Sequence, residues 1–310
     1  MNNPNRQVTA DDCCQKLAWS DLDTHHLQTL VQLAKEEDLS GAGLATTPCH
    51  PGDHSSALLQ SGQNAKATIR ARQPLTLCGI QLAKIVLKAY SDKLSLTPSA
   101  DDGDAIEKGQ TIATIEGPVQ AALSAERPLL NFMQMLSGIA TQTRRYANAL
   151  GNSSTRLLDT RKTTPAYRAI EKYAVACGGA WNHRIGLFDR VMLKDNHIAS
   201  FGNDPRQATT TAVSESRLRF PNLLVEMEID SIEQIDIVLA ANVDIVLLDN
   251  FSVEALQEAI DRIQSRAITE ASGGITIDAL PELATLGLDF ISTGALVHQS
   301  RWIDIGLDWQ

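Results

Sequence analysis

The chain has 310 residues, 43% hydrophobic and 21% charged, the composition of an ordinary globular protein with room for one large domain and a smaller one. Thirty-seven Asp/Glu against 27 Lys/Arg leave a net charge of −10, which excludes the broad basic faces of a nucleic-acid binder. No apolar run of about 18 residues predicts a membrane span, MNNPNRQVTADDCC lacks the pattern of a secretory leader, and five cysteines without CxxC spacing predict free thiols in a reducing cytoplasm and no zinc site.

Within residues 12–37, Leu27, Leu30, Val31, Leu33 and Ala34 recur at helical spacing, and Gly41, Gly43, Pro48, Pro51 and Gly52 then mark a loop. AKATIRA at 65–71 alternates as a strand does. Ile80, Leu82, Ala83, Ile85, Val86 and Leu87 predict a buried helix over 79–90. Short strands are expected at 93–96 and 111–115. The stretch DGDAIEKGQTIATIEG at 102–117 has the look of half a biotinyl or lipoyl module, but no lysine falls between Thr111 and Arg127, so plain β-structure is the reading. From Ala125, Leu129, Leu130, Phe132, Met133, Leu136 and Ile139 predict a largely buried helix, and a change of composition sets a domain boundary beside it.

After residue 156, short apolar runs alternate with helical patterns. The runs are 156–158, 191–193, 223–229, 244–248, 267–270 and 290–292; the helices between them are expected at 164–177, 205–219, 231–240, 252–265 and 278–286. Such alternation specifies a parallel sheet with right-handed crossovers. No G-x-G-x-x-G occurs, which excludes the usual dinucleotide fold. Each run ends on polar or glycine residues: Asp159-Thr160, Lys194, Glu228, Asp249-Asn250, Ser272-Gly273-Gly274 and Gly294. Chemistry gathered at C-terminal strand ends is the mark of a β/α barrel. The predicted fold class is therefore α/β: an incomplete barrel of six or seven strands with an N-terminal α+β domain. The expected division is 1–127 for that domain, 128–293 for the barrel, and 294–310 for a segment packing back on the N-terminal domain.

The charge is unevenly spread. Residues 156–197 hold eight Lys/Arg against four Asp/Glu, a local excess of +4 in an acidic chain, with His183 and His197 in addition. Thr, Asn and Gly separate these cations, which suits a pocket for a small polyanion. Arg161, Lys162, Arg184 and Lys194 offer fixed positive charge, and arginine forks grip carboxylates two oxygens at a time. Glu226 and Glu228, at i and i+2 of one strand, share the inward face, with Asp249 ending the next strand. Hard oxygens beside an anionic substrate suggest Mg²⁺ shared with phosphate. For Glu226, a purely structural ion pair is an equal alternative. Ser272-Gly273-Gly274, extended by Gly294, offers loop amides and a following helix N-terminus as a phosphate cradle.

The blocks AERPLLNFMQMLSGIAT (125–141), LDTRKTTPAYRAIEKYAV (158–175), GGAWNHRIGLFDRVMLKDNHI (178–198), VEMEIDS (225–231), LLDNF (247–251), ASGGI (271–275) and ISTGAL (291–296) resemble the quinolinate phosphoribosyltransferase family. The resemblance implies transfer of phosphoribosyl from phosphoribosyl pyrophosphate to quinolinate with decarboxylation, with Mg²⁺. It implies that Thr160, Arg161, Lys162, His183, Arg184, Lys194 and Glu226 contact substrate, and that Lys162, Lys194, Glu228 and Asp249 form the catalytic set. Glu228 and Asp249 would hold the metal, and Ser272, Gly273, Gly274 and Gly294 the 5′-phosphate. It also implies that Arg127 enters the active site of a partner subunit, so that the protein works as a homodimer or higher oligomer in the cytoplasm.

The chain departs from the family at Ala166-Tyr167, where Gly-Leu is common, at Ala180, where a glycine is common, and at EDLSGAGLATT (37–47), which lacks an aspartate of the family pattern around Gly43. Three other readings compete: a phosphoribosyltransferase for another aromatic acid such as nicotinate, a barrel lyase forming a Schiff base on Lys194, and a catalytically silent binding protein that kept the fold. Three arginines, Arg127, Arg161 and Arg184, favour a dicarboxylate.

Overall fold

Residues 8–310 are described by the computed structural model; the expectation about a secretory leader falls partly on residues 1–7, outside them. The chain opens with α1 (Ala10–Cys13) and α2 (Thr24–Ser40), then β1 (Asn64–Ala71), β2 (Leu75–Thr76), α3 (Ile80–Tyr90), β3 (Ser95–Pro98), β4 (Ala105–Ile106), β5 (Thr111–Pro118) and α4 (Val119–Leu150). It continues with β6 (Arg156–Leu158), α5 (Arg168–Gly178), β7 (Val191–Leu193), α6 (Asp195–Ala199), α7 (Pro205–Arg219), β8 (Val225–Ile229) and α8 (Ile235–Ala240). Last come β9 (Ile245–Asp249), α9 (Val253–Ile263), β10 (Ile268–Ser272), α10 (Leu280–Leu283), β11 (Phe290–Ser292), α11 (Ala295–His298) and β12 (Ile305–Trp309).

Two compact units result, and neither is a continuous piece of chain. The first takes the described residues up to Lys16 together with Arg145–Val175 and Ala180–Gln299; the second takes Leu17–Arg144, Ala176–Gly179 and Ser300–Gln310.

The second unit is the α+β one. Its sheet runs β12-β1-β5-β3, antiparallel throughout. Alternation in β1 buries Ala67, Ile69 and Ala71 on one face, while Lys66 on the other pairs with Glu116 at 2.6 Å. Beside β1 lies β12, with Ile69 opposite Leu307, so part of the 294–310 segment completes this sheet. α3 starts at Gly79, whose φ of +117° favours glycine, and the Asp102 carboxylate accepts the N–H groups of Gly79 and Ile80 at 2.8 and 2.9 Å.

The expected boundary at 127/128 falls inside α4, which carries Pro128 within it and stays with the α+β unit as far as Arg144. Ala122, Ala125, Leu129, Met133, Leu136 and Ala140 form one buried stripe at helical spacing across the proline. Burial of that stripe outweighs the hydrogen bond that Pro128 cannot donate.

The first unit contains six parallel strands in the order β6-β11-β10-β9-β8-β7, an incomplete β/α barrel. β6 and β7 are its edges. The seam between them is filled by chain without regular structure. Trp181 pairs with Leu158 in parallel sense, its N–H donating to the Leu157 carbonyl at 2.8 Å, and Asn182 pairs with Gln15. Arg190, just before β7, donates to the Cys13 carbonyl. The N-terminal segment thus stitches the open side. It also closes the floor, where Cys13 packs with Leu158, Ile245 and Phe290, flanked by Val8, Ala10, Leu224 and Ile268. Full burial of a side chain such as Phe290 contributes about 1.5–3 kcal/mol. All five cysteines are free.

Candidate active site

Strand period fixes what faces inward. Glu226 and Glu228 on β8, Leu247 and Asp249 on β9, and Glu270 and Ser272 on β10 share one face through the register Glu228–Leu247–Glu270 and the pairing Ser272–Asp249. The polar strand ends foreseen from the sequence are therefore gathered at one rim.

Beneath the β6 end is a buried ion pair. Asp159, wholly buried, accepts from Lys172 Nζ at 2.5 Å, Asn182 Nδ2 at 2.9 Å and the His183 N–H at 2.9 Å. Lys172 also donates to the His183 carbonyl at 3.1 Å. Burial pushes the Asp159 pKa up and the Lys172 pKa down, each opposed by the partner's charge. The pair clamps both backbone groups of His183, so α5 fixes where the imidazole stands.

The imidazole itself meets charge. His183 Nε2 lies 3.4 Å from Glu226 and 3.3 Å from Glu270, and Arg190 donates to Glu226 at 2.7 Å. Burial alone would lower the His183 pKa, but Glu270 and Glu226 raise it to about 9. For Glu226 burial works upward and is overcome by His183 and Arg190, which hold the carboxyl well below the usual range. Glu226 is thus an internal counter-charge, wholly buried against His183 and Arg190.

The cations nearer the rim are less committed. Among the described residues, Arg161, Lys162 and Arg184 have no ion-pair partner. Half-burial, then the charge of Arg161, pushes the Arg184 pKa down. Two guanidinium groups close enough to oppose one another favour an anion shared between them. Thr160 accepts the N–H of Lys162 at 3.0 Å, setting the turn that carries the lysine. Lys194 pairs with Glu228 across the β7 and β8 ends. Asp249 accepts from the Asn250 amide at 2.7 Å.

The glycines have steric reasons. Gly273 and Gly274 have φ of +89° and +58°, and a Cβ on Gly273 would strike Asn250, whose N–H donates to the Ser272 carbonyl at 2.9 Å. A Cβ on Gly294 would lie 2.8 Å from both Lys162 Cδ and His298 Cδ2, so glycine there lets the lysine stem cross the loop. The helix expected at 278–286 is present in shortened form, as a 3₁₀ turn at Ile277–Ala279 followed by α10, and does not abut Gly274, so the loop's own amides form any cradle. A polar cleft of about 320 Å³ opens by the N-terminal segment, lined by Asp11, Cys14, His183, Arg184, Arg190 and Asn222.

Four features escaped the sequence reading: Glu270, Arg190, the Asp159–Lys172 pair and His298. Glu270 stands two residues before Ser272, so the period-two rule applied to Glu226 and Glu228 would have found it. Arg127, on α4, is exposed.

Comparison with known proteins agrees with this geometry. Residues 139–308 match the model of the quinolinate phosphoribosyl transferase C-terminal domain, and residues 53–137 that of its N-terminal domain. A probable carboxylating nicotinate-nucleotide pyrophosphorylase of Bacillus subtilis is 37% identical, over 83% of this chain and 88% of that protein. The carboxylating nicotinate-nucleotide pyrophosphorylase of Mycobacterium leprae is 35% identical, over 93% and 99%. The solved structure of the Francisella tularensis nicotinate-nucleotide pyrophosphorylase superposes with a TM-score of 0.85 at 33% identity, covering 96% of this chain and 99% of that one.

Proposed function

The chain belongs to the quinolinate phosphoribosyltransferase family, and we propose that its barrel rim carries out that family's reaction. Phosphoribosyl passes from phosphoribosyl pyrophosphate to quinolinate with decarboxylation, giving nicotinate mononucleotide, pyrophosphate and CO₂ for the synthesis of NAD. The observation that carries this reading is the juxtaposition of Arg184 and Arg161, uncommitted cations at one strand-end rim, with the acidic pair Glu228 and Asp249 on neighbouring strands.

Arg161, Arg184 and His183 grip the two carboxylates of quinolinate and aim its ring nitrogen at C1 of the ribose. As that nitrogen attacks, pyrophosphate leaves and positive charge grows on the sugar. Glu228 and Asp249 stabilise that charge, and Lys162 and Lys194 the leaving oxygens. The pyridinium then stabilises the carbanion left when the 2-carboxylate departs, so no general base is required. Loop amides at Ser272, Gly273, Gly274 and Gly294 hold the 5′-phosphate.

Glu228 and Asp249 suit Mg²⁺ in kind: they are hard carboxylate donors on one inward face, the Glu228 side chain 22% exposed and so reachable. They would hold the ion, whose positive charge offsets that of the leaving pyrophosphate. Arg127 serves the site of a neighbouring subunit, which makes a homodimer or higher oligomer the working form. Five free thiols suit a reducing cytoplasm.

The test is direct. Purified protein with phosphoribosyl pyrophosphate and Mg²⁺ is given quinolinate or nicotinate, and nucleotide and CO₂ are measured. Nucleotide and CO₂ from quinolinate support the reading; turnover of nicotinate alone refutes it. A Schiff-base lyase is disfavoured because the Lys194 ammonium is held against Glu228.

A further inference from the structure

Glu270 has no part in the reaction above, yet its side chain is wholly buried and neither carboxylate oxygen has a hydrogen bond. A carboxylate in that position costs several kcal/mol unless a cation faces it. Arg190 donates to Glu226 at 2.7 Å and to the Cys13 carbonyl, and it acts on Glu270 through its charge without a hydrogen bond. The Nε2 of His183 lies 3.3 Å from Glu270 Oε1, within ion-pair distance.

We propose that Glu270 is a positioning residue for substrate binding: it holds His183 as the imidazolium, with Nε2–H turned to the barrel interior and Nδ1–H left to grip a substrate carboxylate. The inference rests on the quinolinate reading of the site. Charge counting supports it. Glu226 and Glu270 bring two negative charges and Arg190 one positive; a neutral His183 leaves this enclosed cluster at −1, and an imidazolium brings it to zero.

The other groups facing the ring do not alter that count. Asp159, just after β6, and Lys172 on α5 neutralise one another while holding the His183 backbone. The Cys13 thiol is pushed up to about 12 by burial and stays neutral. Arg184, next in the chain, opposes a second positive charge, but the ring answers chiefly to Glu270 and Glu226. His183, Glu226 and Glu270 also place ligand atoms within 4.8 Å of one another, a spacing that would suit a metal ion. Arg190, 3.4 Å from His183 Nε2 and 2.7 Å from Glu226, already supplies the cation there.

The consequence is a sign. Nδ1 has no partner among the described residues. With Nε2–H turned inward, a neutral ring would offer a lone pair at Nδ1 and repel a carboxylate, whereas the imidazolium offers a proton. Glu270 therefore decides whether His183 attracts the substrate or repels it.

The test follows the ring and the kinetics together. In protein labelled with ¹⁵N-histidine, with His183 assigned through the His183→Gln variant, the wild-type ring should remain doubly protonated at pH 8. In Glu270→Gln it should titrate near the ordinary histidine value of about 6.5 or below. For that variant the quinolinate KM should rise about tenfold at pH 8, the worth of one charge-assisted hydrogen bond, and recover at pH 6. A merely structural role would raise KM equally at both pH values. Glu270→Asp, which keeps the charge, should retain the protonated ring. A neutral His183 in the wild type at pH 7.5, or an unchanged titration in a folded Glu270→Gln, overturns the proposal. Should Glu270→Gln not fold, the wild-type ring and Glu270→Asp decide. Failure of the wild type to turn over quinolinate would refute the functional reading, while the ring titration still judges Glu270.

Discussion

One methyl group sets residue 166 apart. Ala166 has a φ of +69°, in the region that favours glycine, at a position where the family commonly has that residue. Relief of left-handed strain should let Ala166→Gly raise stability by up to about 1 kcal/mol, read as a rise in Tm. Ala180, the other departure from the family pattern, is buried without a positive φ, so it carries no such strain. Arg184→Ala should raise the quinolinate KM by about ten- to a hundredfold, the worth of a charge-assisted hydrogen bond, with the circular dichroism spectrum intact. An unchanged KM would remove Arg184 from the clamp. The raised His183 pKa has a stability consequence. A group whose folded pKa lies above its unfolded one stabilises fully below the unfolded value, about 6.5, and that stabilisation is lost as pH rises through about 9. Chemical denaturation should therefore show wild-type stability falling between pH 6.5 and 9 by roughly 3 kcal/mol, and His183→Gln should flatten that fall. Individual cations were legible in the sequence because Lys and Arg cluster there. Their division into committed and uncommitted groups was not, because Arg190 and Arg184 differ only in what the fold sets beside them.

At the scale of the elements, β6, β7 and β11 lie on the short apolar runs expected as strands, and α7 on its expected helix, with identical ends. Long apolar stripes and strand alternation are strong local signals. α1, α6 and α11, at four or five residues each, are too short to show a period, and β12 owes its existence to an edge of β1 far off in sequence. α4 was foreseen from residue 125 but begins at Val119, so its first six residues, under two turns, were missed. This helix carries a sharp test. A Cβ on Gly138 would sit inside the carbonyl of Arg301, a backbone atom that no rotamer change can move aside. Gly138→Ala should lower stability by about 1–3 kcal/mol, seen as a drop in Tm, through displacement of the 300–303 segment. A stability equal to wild type would mean that this segment yields freely.

For the molecule as a whole, the parallel order and the strand-end chemistry were legible because they follow from element sequence alone. The return of the C-terminal segment to the α+β unit was expected, but not the place of the first residues in the barrel unit or of α4 in the α+β unit as far as Arg144. The shared-site proposal has its own experiment. Arg127→Ala and Lys162→Ala should each be inactive alone. Random mixing of the two in a dimer should restore about one quarter of wild-type activity, because half the molecules are hybrids and each hybrid has one intact site. No recovery would place Arg127 in its own subunit's site or outside any site. The threading of the chain also bears on how the protein is made. The segment that fills the barrel seam is synthesised before any barrel strand, and β12 only after all of them. Throughout translation of the barrel the β1 edge thus stands without its neighbour, and the early segment has nothing to close. The barrel unit is fully synthesised by Gln299 while the α+β unit still waits for β12, so a nascent chain of this design carries an open strand edge until its last residues are made, the kind of surface that chaperones shield.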